Sequence, residues 1–171
     1  LLGVGIVDDR IELKARARMI AQLVAALTLV YVGGFRVESM GALGELGRAS
    51  VPFTVLVIVT FLNASNMVDG ADGLLGSVLL PPLVAIALIA NAPLSWGAGM
   101  LAAVVFAFLL FNWPARSAAR SRRRMFMGNG GVLFIALFTA AILIQASGQE
   151  GPLLPGAVAL LTLIPLTDMA T

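Results

Sequence analysis

The sequence contains no cysteine and no histidine, and charged residues make up only 12% of it. Without cysteine, the chain forms no disulfide bonds and offers no thiolate to a metal ion. Without histidine, any acid–base chemistry must come from carboxylates, amines or a substrate phosphate. These two absences exclude enzyme classes that depend on a thiol nucleophile or an imidazole base supplied by this chain.

Apolar residues dominate the sequence instead. They make up 60% of the chain, the mean hydropathy is +1.00, and the charged residues cluster between long apolar runs. A helix needs about 20 apolar residues to cross a bilayer, and the alternation of a β-barrel strand is absent. The sequence therefore predicts an all-α polytopic transmembrane helix bundle, a single domain over 1–171 with about six membrane helices. The predicted segments are 17–34, 50–64, 74–91, 94–113, 131–146 and 153–169.

Both ends of the sequence lie next to apolar runs. The chain starts at Leu1 rather than at methionine, shows no signal peptide, and stops at Thr171 just after an apolar segment. We expect a fragment of a larger bundle that lacks helices at both ends.

The basic residues predict an orientation in the membrane. Nine of the eleven lie in two clusters, at 10–18 and 116–124, which fall on the same side if the segments alternate. The positive-inside rule makes that side cytoplasmic. All five aspartates are predicted on this face, which indicates a site there: Asp8, Asp9, Asp69, Asp72 and Asp168.

Asp8 and Asp9 form the first candidate group. Adjacent carboxylates repel each other and need a nearby cation, either Mg²⁺ or an arginine such as Arg16 or Arg18. The alternative is a polar helix terminus, at which acidic side chains interact favourably with the helix dipole.

The second group recurs every three residues where an apolar segment ends, as Asn63, Asn66, Asp69 and Asp72. Oxygen ligands of this kind suit Mg²⁺, which keeps several waters and binds substrate phosphates beside one or two carboxylates. The alternative is an ordinary Asp-Gly turn between two membrane helices.

The third group is a basic stretch that leads into Gly128-Asn129-Gly130-Gly131 and then a helix. Backbone N–H groups of a glycine turn at a helix N-terminus bind anions, and nearby arginines could meet a diphosphate or a lipid phosphate. The alternative for the arginines of this stretch is a topology anchor at the lipid headgroups.

Together these residues resemble the polyprenyl-phosphate N-acetylhexosamine-1-phosphate transferase family. They are most similar to its branch that acts on undecaprenyl phosphate, a sister of phospho-N-acetylmuramoyl-pentapeptide transferase. The resemblance implies a larger helix bundle of which this chain is the middle. It is carried, in order, by Asp8-Asp9-Arg10, the Asn63–Leu74 run, Phe111-Asn112, Phe126-Met127-Gly128 and Ile164–Asp168.

The resemblance implies that the lipid phosphate attacks the β-phosphorus of a UDP-N-acetylhexosamine and releases UMP. Its partners would be undecaprenyl phosphate, the UDP-sugar and membrane lipid, without nucleic acid and with a homodimer as one allowed assembly. The cofactor would be Mg²⁺, with Mn²⁺ as its alternative. The enzyme would lie in the bacterial inner membrane with its site facing the cytoplasm, and would start the synthesis of a cell-surface polysaccharide such as O-antigen.

The resemblance also assigns roles to individual residues. Asp8, Asp9, Asp69 and Asp72 would be catalytic, and Asn66 and Asn129 would be metal contacts. Arg16 and Arg18 would bind the lipid phosphate, Asn63 the nucleotide, and Gly128 a substrate phosphate. The assigned positions are Asp8, Asp9, Arg16, Arg18, Asn63, Asn66, Asp69, Asp72, Gly128 and Asn129.

Asn129 departs from the family, which has a metal-binding aspartate at this position. An amide oxygen can contact a cation but brings no charge, so a catalytically impaired homologue is the main alternative to an active transferase. The histidine-rich motif of the family lies beyond the end of this chain. A cation-coupled transporter is a third class, but it would place its acidic residues at mid-membrane in broken helices rather than at helix ends.

Overall fold

The computed structural model describes residues 1–11, 13–41, 44–69, 73–113 and 127–148. Within these ranges the chain is an all-α membrane bundle without strands, apart from one isolated β-bridge between Ser39 and Glu45. The helices are α1 (Leu2–Ile11), α2 (Ala15–Tyr31), α3 (Ser50–Val68), α4 (Leu74–Ile89), α5 (Leu94–Asn112) and α6 (Gly128–Ala146), with a 3₁₀ turn at Gly47–Ala49.

Five of the six predicted apolar segments are helices, α2 to α6, and the sixth, at 153–169, lies outside the described residues. Three described helical stretches are long and apolar enough to cross a membrane: Gly47–Val68, Leu94–Asn112 and Gly128–Ala146. The predicted boundaries were wrong by three or more residues at three helix ends. Helix α2 ends at Tyr31 instead of near residue 34. Helix α3 continues to Val68 instead of ending near residue 64, and α6 begins at Gly128 instead of residue 131.

Helix α6 lies at the centre of the described bundle and packs against α1, α3, α4 and α5. Its apolar side chains share one core with Ile58 and Leu62 of α3, Leu83 and Ile86 of α4 and Val105 of α5, all almost completely buried. Residues of α1, α2 and α3 line one cavity together with the first turns of α6, so four helices contribute residues near those turns. The bundle thereby brings distant parts of the sequence together at one end.

Helices α1 and α6 approach most closely at two glycines. A Cβ at Gly5 would clash with the backbone of Gly130, and a Cβ at Gly130 would lie 3.1 Å from the backbone nitrogen of Ile6. Only glycine at both positions permits this approach. It places the Asp8-Asp9 pair, which follows Gly5 by one helical turn, beside the start of α6.

Gly5→Ala is expected to lower the stability of the bundle by about 1–3 kcal/mol, because the added methyl group must push α1 away from α6. Gly3→Ala is the matched control, since nothing lies within 4 Å of a Cβ at Gly3 in the same helix. That control should be neutral or stabilise by up to about 1 kcal/mol, the helix propensity gained over glycine. Thermal unfolding of both variants in detergent measures the difference, and equal unfolding temperatures would contradict the close approach.

Candidate functional site

A cavity of about 610 Å³ opens at the end of the bundle where α1 and α3 end and α2 and α6 begin. Apolar side chains, including Leu56 and Leu133, form part of its wall. Its polar lining comes from four helices and includes five of the residues assigned from the sequence. The polar residues are Asp8, Arg18, Gln22, Thr60, Asn63, Asn66 and Asn129.

Asp8 is the buried carboxylate of this cavity, with an exposed fraction of 3%. Its Oδ1 accepts a hydrogen bond from the backbone N–H of Leu13 at 2.7 Å. Its Oδ2 accepts one from the Asn129 side-chain amide at 2.9 Å and a longer one from Arg18 at 3.5 Å. A buried carboxylate is tolerated only when it is paired and hydrogen-bonded. Three donors from different parts of the chain therefore hold Asp8 in place.

Asp9 is exposed and interacts with the start of α6. Its Oδ1 accepts a hydrogen bond from the backbone N–H of Asn129 at 2.9 Å. Gly128 has a φ of +70°, and a Cβ there would lie 2.7 Å from Asp9 Oδ2, so a side chain would prevent this approach. The start of α6 thus donates a backbone N–H to the carboxylate of Asp9 in this structure. Substrate binding by Gly128 stays a prediction.

Asn63 pairs with Gln22 across α2 and α3. Its Nδ2 donates to Gln22 Oε1 and to the backbone carbonyl of Val59, both at 2.8 Å, and Gln22 Nε2 donates to Asn63 Oδ1 at 3.4 Å. Gln22 was given no role from the sequence. It follows Asp8, Asp9, Arg16 and Arg18 in the first candidate segment, and a polar residue four positions after Arg18 lies on the same helix face.

The remaining assigned residues lie elsewhere. The described cavity lining includes neither Arg16, which is exposed, nor Asp69, which directly follows α3 and is partly buried. Burial raises the pKa of Asp69 above the usual value for an aspartate. Asp72 lies outside the described residues.

Asn112, noted in the sequence as part of a motif but without a role, is buried at the end of α5. Its Oδ1 accepts a hydrogen bond from the backbone N–H of Gly73 at 2.5 Å. This bond satisfies a donor at the start of α4, which has no side-chain cap of its own. Asn112 therefore fixes the point at which the chain enters α4 after Asp72.

The donor set at the cavity suits a hard cation. Within the described part of the chain, no group of three acidic or other strong ligand side chains could hold a metal ion alone. Asp8, Asp9, Asn66 and Asn129 nevertheless bring two carboxylates and two amide oxygens to the same end of the bundle. Mg²⁺ commonly uses one or two carboxylates and completes its shell with water and substrate phosphates, so these residues fit it.

Comparison with known proteins gives a consistent set of matches. The model of the family described as "Glycosyl transferase family 4" matches residues 1–147. The chain is 31% identical to the undecaprenyl-phosphate alpha-N-acetylglucosaminyl 1-phosphate transferase of Yersinia pestis, over 99% of this chain and 48% of that protein. It is 35% identical to the "Probable undecaprenyl-phosphate N-acetylglucosaminyl 1-phosphate transferase" of Bacillus subtilis, over 79% of this chain and 38% of that protein.

A third relative acts on a different polyprenyl phosphate by name. The decaprenyl-phosphate N-acetylglucosaminephosphotransferase of Mycobacterium tuberculosis is 29% identical over 86% of this chain and 39% of that protein. The chain spans about half the length, or less, of these curated relatives. No solved structure matches it significantly.

Proposed function

Because this chain belongs to glycosyl transferase family 4, we propose that the protein transfers N-acetylglucosamine 1-phosphate from a UDP-sugar to undecaprenyl phosphate and releases UMP. The relatives' names support both the transferred group and a polyprenyl phosphate acceptor. The observation that carries the proposal is the convergence of Asp8, Arg18, Asn63, Asn66 and Asn129 on one cavity at the end of a membrane bundle. Such a place lets a lipid phosphate meet a water-soluble nucleotide.

In the proposed reaction, an oxygen of the lipid phosphate attacks the β-phosphorus of the UDP-sugar. A new P–O bond forms to the lipid, and the bond from the β-phosphorus to the bridging oxygen breaks, so UMP leaves with that electron pair. A phosphate nucleophile needs no histidine. Catalysis of such a transfer comes mainly from positioning and from stabilising charge. Arg18 supplies positive charge at the cavity wall, and the amides of Asn63 and Asn66 supply neutral hydrogen-bonding groups.

The proposal includes Mg²⁺, with Mn²⁺ as the alternative cation. Asp8, Asp9, Asn66 and Asn129 are the described residues that would hold it, and Asp69 and Asp72 are further carboxylates assigned by the resemblance. A bound divalent cation would supply positive charge against the transferring phosphoryl group. Asn129 contributes no charge to this set, so we expect cation affinity to be lower than with an aspartate there.

We place the proposed enzyme in the bacterial inner membrane. Three described helical stretches have the length and composition of membrane spans. The end of the bundle that holds the cavity also carries Arg10, Lys14, Arg16 and Arg18, which supports a cytoplasmic orientation. Transfer to undecaprenyl phosphate on that side would start the synthesis of a cell-surface polysaccharide. A homodimer is compatible with the proposal, and nucleic acid has no part in it.

The full-length protein in lipid nanodiscs should release UMP when it is given Mg²⁺, undecaprenyl phosphate and UDP-N-acetylglucosamine. Release should stop when undecaprenyl phosphate is omitted, because the acceptor is the nucleophile, and labelled sugar should move into the lipid fraction. Omission of the acceptor also separates transfer from simple hydrolysis of the UDP-sugar. A folded preparation that is silent with this donor and with other UDP-N-acetylhexosamines would overturn the proposal.

The second candidate is a catalytically impaired homologue, and the hydrogen bonds of Asn129 favour it. Both its backbone N–H and its side-chain amide donate to the Asp8-Asp9 pair, so the pair is held without a cation. Silence of the wild-type protein together with UMP release by Asn129→Asp would identify an inactivated enzyme on an intact scaffold.

A further inference from the structure

Gln22 is a buried polar residue whose donor atom, Nε2, makes only one hydrogen bond, a long one, within the described structure. It lies on α2 one turn after Arg18, is 3% exposed, and lines the cavity. Polar side-chain atoms buried to this degree normally have at least one hydrogen-bond partner. The atom of Gln22 that lies opposite Asn63 Nδ2 determines whether a donor or an acceptor remains for a ligand.

The carbonyl of Val59 fixes this orientation. A carbonyl oxygen only accepts hydrogen bonds, so the atom of Asn63 that lies 2.8 Å from it must be Nδ2. The same Nδ2 lies 2.8 Å from Gln22 and can only donate, so the Gln22 atom opposite must be Oε1. Asn63 thereby spends both of its N–H groups on the protein, and Gln22 keeps its donor atom, Nε2.

Gln22 Nε2 has two N–H groups and a single, long contact in the described structure. That contact, to Asn63 Oδ1, measures 3.4 Å, near the upper limit for a hydrogen bond. No other described residue accepts a hydrogen bond from it. The second N–H of Nε2 has no acceptor among the described residues, and a buried N–H without an acceptor is destabilising, so an acceptor supplied by a ligand is favoured at this point.

The positive charge of Arg18 indicates which kind of ligand atom would accept a hydrogen bond from Gln22. Residues four apart share one face of a helix, and Arg18 and Gln22 both line the same cavity. The Arg18 guanidinium has five N–H groups, and its contact with Asp8 is 3.5 Å. Beside this positive charge an anionic oxygen is favoured over a hydroxyl. At the buried position of Gln22 a neutral amide avoids the desolvation cost of a second charge.

We propose that Gln22 is a substrate-binding residue: its Oε1 holds the amide of Asn63, and its Nε2 donates to a phosphate oxygen of a substrate bound in the cavity. The inference rests on the proposed transferase function, which supplies phosphate from two sources. These are the phosphate of undecaprenyl phosphate and the diphosphate of the UDP-sugar.

Equilibrium binding of undecaprenyl phosphate and of UDP-N-acetylglucosamine to the full-length protein tests the inference without turnover. Gln22→Leu removes the amide at similar size and should weaken binding of the contacted substrate by about tenfold or more, as expected for a hydrogen bond to a charged oxygen. Each substrate is measured separately, so the weakened one identifies the source of the phosphate. Gln145→Leu is the matched control, because Gln145 is exposed at the far end of α6.

Gln22→Glu separates the hydrogen bond that Gln22 accepts from Asn63 from the one that it donates to the substrate phosphate. A carboxylate still accepts from Asn63 Nδ2, but it cannot donate to a phosphate and repels it. Binding relative to wild type should therefore be weakest at about pH 8, where the carboxyl group is ionised. It should recover as pH falls, because the protonated carboxyl regains an O–H donor. The unfolding temperature of the variant is measured over the same pH range, because a purely structural role would make binding and stability recover together, whereas a substrate contact lets binding recover beyond the gain in stability.

Unchanged binding of both substrates in a folded Gln22→Leu protein would overturn the inference while leaving the transferase proposal intact. Failure of the wild-type protein to bind either substrate would overturn both. Binding that weakens as expected without UMP release by the wild type would support Gln22 and point to the impaired homologue.

Discussion

Asn129→Asp is expected to make the stability of the protein depend on a divalent cation. The side-chain amide of Asn129 donates to Asp8 at 2.9 Å, and an aspartate would replace this hydrogen bond by repulsion between carboxylates. Without a cation, the variant should lose about 2 kcal/mol of stability, since the site is partly buried and Arg18 offsets only part of the repulsion. Three carboxylates around one point also form a stronger site for Mg²⁺ than two carboxylates and an amide.

Thermal unfolding with and without Mg²⁺ measures this effect independently of catalysis. A cation present at a hundredfold excess over its Kd stabilises the folded state by about 2.7 kcal/mol, so Mg²⁺ should more than restore the stability of Asn129→Asp. Gln145→Glu adds an acid at the exposed end of the same helix and should show no Mg²⁺-dependent gain over wild type. An equal Mg²⁺-dependent gain in stability in wild type and Asn129→Asp would show that residue 129 does not contact the metal ion.

The gathering of the site at one end of the bundle could be predicted from the sequence. In a chain with so few charges, acidic and basic residues must lie at helix ends or in loops, because their burial in lipid is costly. The alternation of membrane helices then places Asp8, Arg18, Asn63 and Asn129 on one side. The structure brings these four residues to one cavity.

The hydrogen-bond partners within the site could not be predicted, because they depend on helix rotation and close packing. Asn63 is held by Gln22 of another helix. Helix α6 starts at Gly128 although glycine is a poor helix former, because Gly130 must lie against Gly5 and tertiary packing overrides propensity. The same approach brings Asp9 to the backbone N–H of Asn129, where the sequence suggested a phosphate.

Asp8→Asn and Asp9→Asn are expected to lose activity to a similar extent, but Asp8→Asn should lose more stability than Asp9→Asn. Each removes one negative charge from the site, and UMP release should fall by about 10²–10³-fold in both. Asp8→Asn also places an amide donor where Asp8 accepts from Leu13, Asn129 and Arg18, at a cost of about 1–3 kcal/mol. The amide introduced at position 9 still offers an oxygen to the backbone N–H of Asn129, and the residue is exposed, so its stability should change by less than about 0.5 kcal/mol.

Unfolding temperature and UMP release, measured on the same preparations, separate the two roles. Full activity of Asp9→Asn would exclude Asp9 from the reaction, and wild-type stability of Asp8→Asn would contradict the role of the three donors in holding Asp8.

The exchange variant Asp8→Asn/Asn129→Asp tests the pairing itself. An amide at position 8 can donate to a carboxylate at position 129, so the hydrogen bond is restored with its direction reversed, and Arg18 again has a negative charge nearby. The double variant should therefore lose less stability than the sum of the two single losses, by a coupling energy of about 1–2 kcal/mol. Additive losses would show that the two side chains do not interact in the folded protein. Stability recovered without UMP release would mean that the reaction requires the negative charge at position 8 itself, and not merely a charge on either residue of the exchanged pair.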